Sequence, residues 1–195
     1  MIVGKDKRER VSRARGEHTR ELILEAASEI IRNEGLHACT QRAVAAELDI
    51  SPGTVTWHFR MLDDLHDAVV RNAIDSFKAQ TLKWFIESTS EAPEVQLTEF
   101  LFWTLQQHTR LLREYELFVA AVSRPRLRES AMHWVRTHSL ILQDHFGLNA
   151  EQADAVVAYT DAWLLRSLLS DGAEKPDITM TELIFITIMK AHSSD

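Results

Sequence analysis

Apolar residues recur with helical spacing along most of this 195-residue chain. The first clear case covers residues 19–33, where apolar side chains repeat every three or four positions in two neighbouring stripes, Leu22, Ala26 and Ile30 beside Ile23, Ala27 and Ile31. Such spacing places a stripe on one face of an α-helix. No stretch alternates convincingly with period two, so we predict an all-α fold of about nine helices.

The remaining predicted helices are separated by short polar or turn-forming segments. Gly35 ends the first helix, and a polar segment with a proline at Pro93 ends a long helix that begins near Leu62. By periodicity and turn residues, the predicted helices lie at roughly 19–33, 40–48, 52–59, 62–88, 94–112, 114–123, 125–146, 150–170 and 180–192.

Composition is that of an ordinary globular chain, with 45% apolar and 26% charged residues. Cys39 is the one cysteine, so no intrachain disulfide can form, and we predict a reducing, cytoplasmic setting. We interpret Cys39 as a small buried residue; the alternative is a redox sensor. No apolar run reaches the roughly 18 residues of a membrane span, and no signal peptide is recognisable.

The net charge of −7 is unevenly distributed. Residues 1–60 hold 10 basic and 9 acidic side chains, whereas residues 61–195 hold 12 and 20. Residues 1–20 alone hold 7 basic and 3 acidic side chains, and we predict a flexible basic arm over residues 1–17. Such an arm suits contacts with nucleic-acid phosphates; the alternative is a solvated tail.

Residues 40–59 have the pattern of two short helices joined by a tight turn. Thr40 and Ser51 have the side chains of N-caps, Pro52 stands at the first helical position, and Asp49 falls in the turn. This helix-turn-helix pattern predicts a unit that reads DNA. The alternative is an ordinary helical hairpin in which Trp57 is part of the core.

A helical wheel of residues 52–59 separates two faces. Val55 and Phe59 fall together and are predicted to face inward. The opposite face and its flanks carry small, hydroxyl and aromatic residues that can approach base edges or phosphates. The predicted DNA-binding residues, including the start of the preceding helix, are Thr40, Gln41, Arg42, Ser51, Pro52, Gly53, Thr54, Thr56, Trp57, His58 and Arg60.

Residues 19–70 resemble the N-terminal domain of TetR-family transcriptional regulators. The similarity is carried by Thr19-Arg-Glu-Leu-Ile-Leu-Glu-Ala-Ala27, Asn33-Glu-Gly35, Thr40-Gln-Arg-Ala-Val-Ala46, Ile50-Ser-Pro-Gly-Thr-Val55, Trp57-His-Phe59 and Asp63-Asp-Leu65. The resemblance implies a helix-turn-helix DNA-binding domain at residues 18–62. It also implies a helical domain at residues 63–195 that dimerises and binds a small-molecule effector.

Three positions depart from the family pattern. Asp49 stands where the family usually has glycine, Thr56 where it commonly has tyrosine, and Leu62 where it often has lysine. Asp tolerates left-handed backbone geometry better than most residues, so we expect the turn to form. The usual phosphate contacts at the other two positions are in doubt. Trp57 and His58 are candidates to replace the contact at Thr56, and Arg60 or the basic arm to replace the one at Leu62.

The last two predicted helices are apolar on more than one side, which predicts a four-helix dimer interface with a symmetry mate. The residues assigned to it are Val156, Val157, Leu164, Leu168, Ile186 and Met189. The alternative is burial within a monomer. For the effector site, the chain offers aromatic and polar candidates, each of which could instead be core or surface: Trp84, Trp103, His108, Tyr115, Phe118, Trp134, His138 and Trp163.

No catalytic motif, phosphate loop or dinucleotide fingerprint is present, and the histidine spacings do not suit a metal site. We therefore predict a regulator without enzymatic activity, cofactor or metal. It would be a homodimeric repressor released from a palindromic DNA operator by a small molecule. The alternatives are a DNA-binding protein of the same fold without an effector or with a protein partner, and an all-α ligand carrier or enzyme that never meets DNA.

Overall fold

The computed structural model describes residues 3–191, with side chains from residue 14 onward. Within that range the chain forms nine α-helices and no strand, which confirms the predicted all-α class. The helices are α1 (Val3–Glu34), α2 (Gln41–Glu47), α3 (Pro52–His58), α4 (Leu62–Glu87), α5 (Pro93–Leu105), α6 (His108–Ser123), α7 (Pro125–Phe146), α8 (Ala150–Leu169) and α9 (Ile178–Lys190).

Helices α1–α3, here called the head, enclose a small apolar core that α4 closes. Ile23 and Ala27 of α1, Val44 of α2, Val55 of α3 and Leu65 of α4 are all fully shielded from solvent. Burying a Val, Leu or Ile side chain contributes roughly 1.5–3 kcal/mol. The short helices α2 and α3 are therefore held by their buried faces and their caps, because helices of this length are not stable alone.

Helices α4–α9, here called the body, continue the same core. Along α4 the buried side chains of Val69, Ile74 and Phe77 lead from the head to Trp134 of α7. The most extensive packing between any two helices is that of α4 on α7. A separate apolar cluster joins α5, α6 and α8. No helix within residues 3–191 is long and apolar enough to cross a bilayer.

Two predicted boundaries are wrong. Helix α1 begins at Val3, not at Thr19, because the charged residues ahead of Thr19 carry no apolar stripe from which periodicity could place a helix. The break between α5 and α6 lies at Gln106 and Gln107, not near residue 113, and neither glycine nor proline marks it. The arm's residues 1–2, its side chains through residue 13, and residue 192 of the last predicted helix lie outside the described residues.

Candidate nucleic-acid interface and internal cavity

The α2–turn–α3 unit is organised by local hydrogen bonds. The Thr40 hydroxyl accepts from the Ala43 N–H at 3.0 Å, and the Ser51 hydroxyl accepts from the Thr54 N–H at 3.1 Å. Between the two helices, Asp49 adopts φ 52°. This is the left-handed conformation that lets the chain reverse within a few residues, and Asp is among the non-glycine residues that reach it most easily.

Helix α3 has the two faces that the wheel predicted. Val55 and Phe59 are buried, whereas Trp57 is 76% exposed. Gly53 is exposed as well, and a Cβ added there would meet the Ser51 Oγ at an ordinary 3.6 Å. Packing within the chain therefore does not require glycine at this position. What a missing Cβ does provide is a flat surface that another molecule can approach closely.

Several predicted DNA-binding side chains already have partners within the head. The Gln41 amide donates from Nε2 to the Phe59 carbonyl at 2.5 Å, which ties the start of α2 to the end of α3. The Thr56 hydroxyl donates to the Pro52 carbonyl at 3.0 Å. Gln41, Thr54 and His58 are half-buried, and the other predicted residues are exposed, namely Thr40, Arg42, Ser51, Pro52, Gly53, Thr56, Trp57 and Arg60.

Arg20 is a basic residue near α3 that the sequence reasoning missed. Its guanidinium lies over the Phe59 ring, 5.0 Å from the centroid. Burial, and secondly the charge of Arg20, lower the pKa of the neighbouring His58. Arg20 lies far from the helix-turn-helix motif along the chain, and only the folding of the head brings it beside Phe59 at the end of α3, so no local sequence pattern pointed to it.

The head is joined to the body at the start of α4. His66 is fully buried, and its Nδ1 accepts from Arg124 at 3.0 Å because a guanidinium can only donate. Its Nε2–H therefore donates to the Cys39 carbonyl of the head at 2.9 Å. Nearby, Arg126 donates to Asp64 at 2.6 Å. Burial lowers the pKa of His66, which favours the neutral ring that this bridge needs.

The body contains an internal cavity of about 50 Å³ that is lined by α4, α5, α6, α7 and α8. Its walls are largely apolar or aromatic, with a few polar groups among them. The lining residues are Phe77 and Thr81 of α4, Leu97, Phe100 and Thr104 of α5, Arg110 and Glu114 of α6, His138, Ile141 and Leu142 of α7, and Val156, Val157, Thr160, Asp161 and Leu164 of α8.

Three titratable side chains in this wall have strongly shifted pKa values, and burial raises that of Asp161 to about 6. Burial raises the pKa of Glu114 to about 7, partly offset by Arg110, whose Nε lies 3.3 Å from the Glu114 Oε1. Burial lowers the pKa of His138 to about 4. Its Nδ1–H donates to the Trp134 carbonyl at 3.2 Å, so its Nε2 is left as an acceptor. The cavity wall thus offers two carboxyl groups, Glu114 and Asp161, and a neutral imidazole.

Comparison with known proteins agrees with this architecture. The family profile described as bacterial regulatory proteins, tetR family, matches residues 23–69, and the tetracyclin repressor-like C-terminal domain matches residues 88–185, which is half of the chain. The chain belongs to the TetR family. It is therefore a DNA-binding transcriptional regulator that responds to a ligand. No curated protein matches the sequence significantly.

Solved TetR-family structures cover 87% of this chain. The multidrug binding protein EbrR complexed with imidazole is 31% identical over 94% of its own chain, with a TM-score of 0.72. EbrR complexed with ethidium is 28% identical over 98% of its chain, with a TM-score of 0.73. A TetR-family member from Streptomyces coelicolor A3 is 31% identical over 97% of its chain, with a TM-score of 0.69.

The structure places the predicted effector-site residues in different parts of the TetR-type body. His138 lines the internal cavity, whereas Trp134 lines a second cavity and Phe118 a surface groove. The remaining five line neither cavity, so their assignment to the effector site finds no support: Trp84, Trp103, His108, Tyr115 and Trp163. Trp84 and Trp103 pack together with Phe100, and Trp163 is half-buried against the α5–α6–α8 cluster with Arg166 over its ring.

Sequence reasoning missed the cavity's charged pair. Arg110 and Glu114 are four residues apart, a spacing that usually marks an ion pair on the solvated face of a helix. Only the tertiary packing of α4, α5, α7 and α8 around α6 encloses them. The cavity is also lined by Phe77 and Thr104, which carried no signal beyond helical periodicity.

The predicted dimer-interface residues of α8 and α9 also need correction. Val156 and Leu164 are 2% and 6% exposed within the single chain, so their side chains pack internally and cannot meet a partner. Val157, Leu168, Ile186 and Met189 are half-buried. The apolar side chains that this face does expose are Leu165, Leu169, Ile178, Met180 and Leu183.

Proposed function

We propose that this TetR-family chain is a homodimeric repressor that leaves a palindromic operator when an aromatic organic cation enters its internal cavity. The observation that carries the effector assignment is Glu114, a shielded carboxylate in a wall that is largely apolar and aromatic but also holds Arg110 and a second carboxyl group, Asp161. The exposed face of α3 supports the DNA assignment. Each part of the proposal has its own test.

For DNA, we propose that α3 lies in the major groove with Gly53 and Trp57 toward the bases. Thr40 and Arg42 at the start of α2, together with Arg60, would contact phosphates, because the first helix of such a unit crosses the DNA backbone. Arg20 joins this set on account of its position beside α3. Gln41 would act chiefly by fixing α2 to α3 through its bond to the Phe59 carbonyl.

For pairing, we propose that the exposed apolar side chains of α8 and α9 meet their symmetry equivalents in a second copy. Leu165 is 44% exposed and Leu183 53% exposed, and Leu169 at the end of α8 is 81% exposed. Large apolar side chains left exposed on a single chain favour association when they form a patch. Two heads presented about 34–36 Å apart would reach successive turns of one DNA face.

For the effector, we propose that Glu114 neutralises the cation while Phe77 and Phe100 contact its aromatic part. A ring face attracts a cation, and a desolvated carboxylate does so more strongly. The neutral His138 adds an acceptor and no competing positive charge. EbrR, which has this fold and is complexed with ethidium in its structure, supports the assignment because ethidium is an aromatic cation.

The size of the cavity supports a two-state response. It holds about 50 Å³, whereas sites for drug-sized ligands occupy roughly 300–1,000 Å³. An effector of that size must displace lining side chains and the helices that carry them. A ligand shifts a protein between states by its difference in affinity for them, so an effector that fits only the expanded body would favour that state.

Selection of bound sequences from a random DNA pool tests the proposal. The expected product is a palindrome with half-sites one helical turn apart, and its complex should dissociate on addition of tetraphenylphosphonium. That probe is a permanent cation without the flat ring system of DNA intercalators. Recovery of no preferred sequence would contradict the operator assignment, and an unchanged complex at saturating cation would contradict the effector assignment.

A further inference from the structure

A side chain of the body donates hydrogen bonds to carbonyls at the C-terminal end of α1. The last carbonyls of a helix have no partner within it. In α1, the Ile31 carbonyl accepts from the Gly35 N–H at 2.9 Å, but the next two carbonyls are not reached in that way. Arg113 of α6 takes this role: its Nε donates to the Arg32 carbonyl at 3.3 Å and its Nη2 to the Asn33 carbonyl at 3.1 Å.

The Arg113 guanidinium is held in this place by its surroundings. Its Nη1 donates to the Glu116 Oε1 at 2.8 Å, one turn further along α6. Gly35 has φ +93°, and a Cβ added there would lie 3.0 Å from the Arg113 Nη1 and 2.9 Å from the Glu116 Oε2. The chain leaving α1 therefore passes close against the ion pair, and glycine is required both for its backbone conformation and for space.

The same turn of α6 faces the internal cavity. Glu114 follows Arg113 directly and Arg110 precedes it by one turn, and both line the cavity. On the side toward the head, Arg110, Arg113 and Glu114 also line a second cavity of about 230 Å³ that α1 closes with Ile31 and Arg32. This turn of α6 thus separates the proposed effector site from the end of α1.

We propose that Arg113 is a positioning residue that transmits a change in the internal cavity to the head through the end of α1. The proposal rests on the proposed function, in which the state of this cavity controls DNA binding. Helices move as units of packed side chains, so a shift of the Arg110–Glu114 turn must move the Arg113 guanidinium with it. The carbonyls of Arg32 and Asn33 then follow or lose their donor.

A second route to the head runs from α7 through α4, which closes the core of the head, and on it Arg126 of α7 donates to Asp64 of α4. It offers a matched control, because Arg126→Met removes an arginine contact between α7 and the start of α4 that does not involve α6. Arg113→Met removes the contact to α1. Both substitutions keep a long, unbranched apolar side chain, so lost packing is similar in the two variants.

The experiment fills the cavity by substitution and needs no effector. Thr104 lines the cavity from α5, so Thr104→Phe places a ring there. The hydrogen bonds of Arg113 to α1 and of Arg126 to α4 do not involve α5. We measure affinity for the selected operator by fluorescence anisotropy for Thr104→Phe, each arginine variant and both double variants. In the otherwise unchanged chain and with Arg126→Met, Thr104→Phe should weaken DNA binding about tenfold, within the usual range of allosteric coupling. With Arg113→Met, the loss should fall to about twofold or less.

Equal losses in all three backgrounds, or no loss in any, would overturn the proposal. Loss abolished by Arg126→Met instead would assign the transmission to α4. Thermal unfolding and gel filtration check that each variant is folded, and Thr160→Phe, which fills the same cavity from α8, replaces Thr104→Phe if that variant does not fold. If tetraphenylphosphonium leaves the operator complex intact while this pattern holds, the effector assignment is wrong and the role of Arg113 stands.

Discussion

Replacing Glu114 by glutamine removes the charge that we propose to recognise the effector, with little change in shape. The side chain is only 15% exposed, so water screens it weakly. Burial raises its pKa to about 7. A bound cation stabilises the ionised form, so it lowers that pKa and binding releases a proton. The affinity of the unchanged chain for a permanent cation should therefore be highest at a pH well above 7 and fall as the pH drops through about 7.

The magnitude follows from Coulomb's law. Two opposite unit charges about 4 Å apart attract by about 4 kcal/mol at an effective dielectric constant of 20. Arg110, whose Nε lies 3.3 Å from Glu114, already neutralises part of that field. We expect the substitution to cost about 1.5–3 kcal/mol at pH 8, or roughly 10–150-fold in Kd. At pH 6, where about a tenth of Glu114 is ionised, the unchanged chain should bind about tenfold more weakly than at pH 8.

Fluorescence titration with ethidium in the absence of DNA measures both effects, because ethidium carries the same charge throughout pH 6–8. The matched control is Glu87→Gln, which removes a carboxylate that is 65% exposed and lies outside the lining of the cavity. Glu87→Gln should keep the affinity and its pH dependence, whereas Glu114→Gln should keep only the small pH dependence that Asp161, with its pKa of about 6, contributes. Ethidium binding by Glu114→Gln that equals the unchanged chain at pH 8 would refute the recognition of charge at this site.

Three further substitutions test the DNA and dimer surfaces. Gly53→Ala should raise the melting temperature slightly, because alanine favours a helix by up to about 1 kcal/mol, and should weaken operator binding in an anisotropy titration; unaltered binding would place α3 away from the bases. Trp57→Ala should weaken the operator complex about tenfold while stability changes by about 0.5 kcal/mol or less, as for other exposed positions, and a strong loss of stability in thermal unfolding would show that the ring serves the fold instead. Leu183→Asp should give monomers in sedimentation velocity, and a dimer that persists would move the interface off this face of α9.

The head could be predicted closely from the sequence because its signals are local. The caps at Thr40 and Ser51, the first-turn Pro52 and the inward pair Val55 and Phe59 all lie within 20 residues, and each follows from short-range geometry. Fold class was equally accessible, since helical periodicity persists through the chain. The start of α1 could not be predicted, because a charged helix without an apolar stripe has the same sequence pattern as a solvated arm.

The cavity could not be predicted because no local pattern describes it. Aromatic residues drew attention to Trp84, Trp103 and Trp163, but large rings are more often packing material than ligand contacts. Glu114 had the sequence context of a surface ion pair with Arg110. Five helices must pack before that pair is enclosed, and the side chains that become cavity walls are decided by the geometry of that packing.

Besides the packing of α4 on the core of the head, hydrogen bonds tie the head to the body near the start of α4 and at the end of α1. Near the start of α4, His66 donates to the Cys39 carbonyl and accepts from Arg124, and Arg126 donates to Asp64 of the same helix. Several contacts therefore hold this attachment. At the end of α1, the Arg113 guanidinium donates to two carbonyls and lies one residue from the cavity wall. If a change in the cavity breaks the hydrogen bonds at the end of α1, the contacts at the start of α4 remain and act as a pivot. The head would then rotate about the start of α4. In a dimer, such a rotation would change the distance between the two α3 helices more than the structure of either helix.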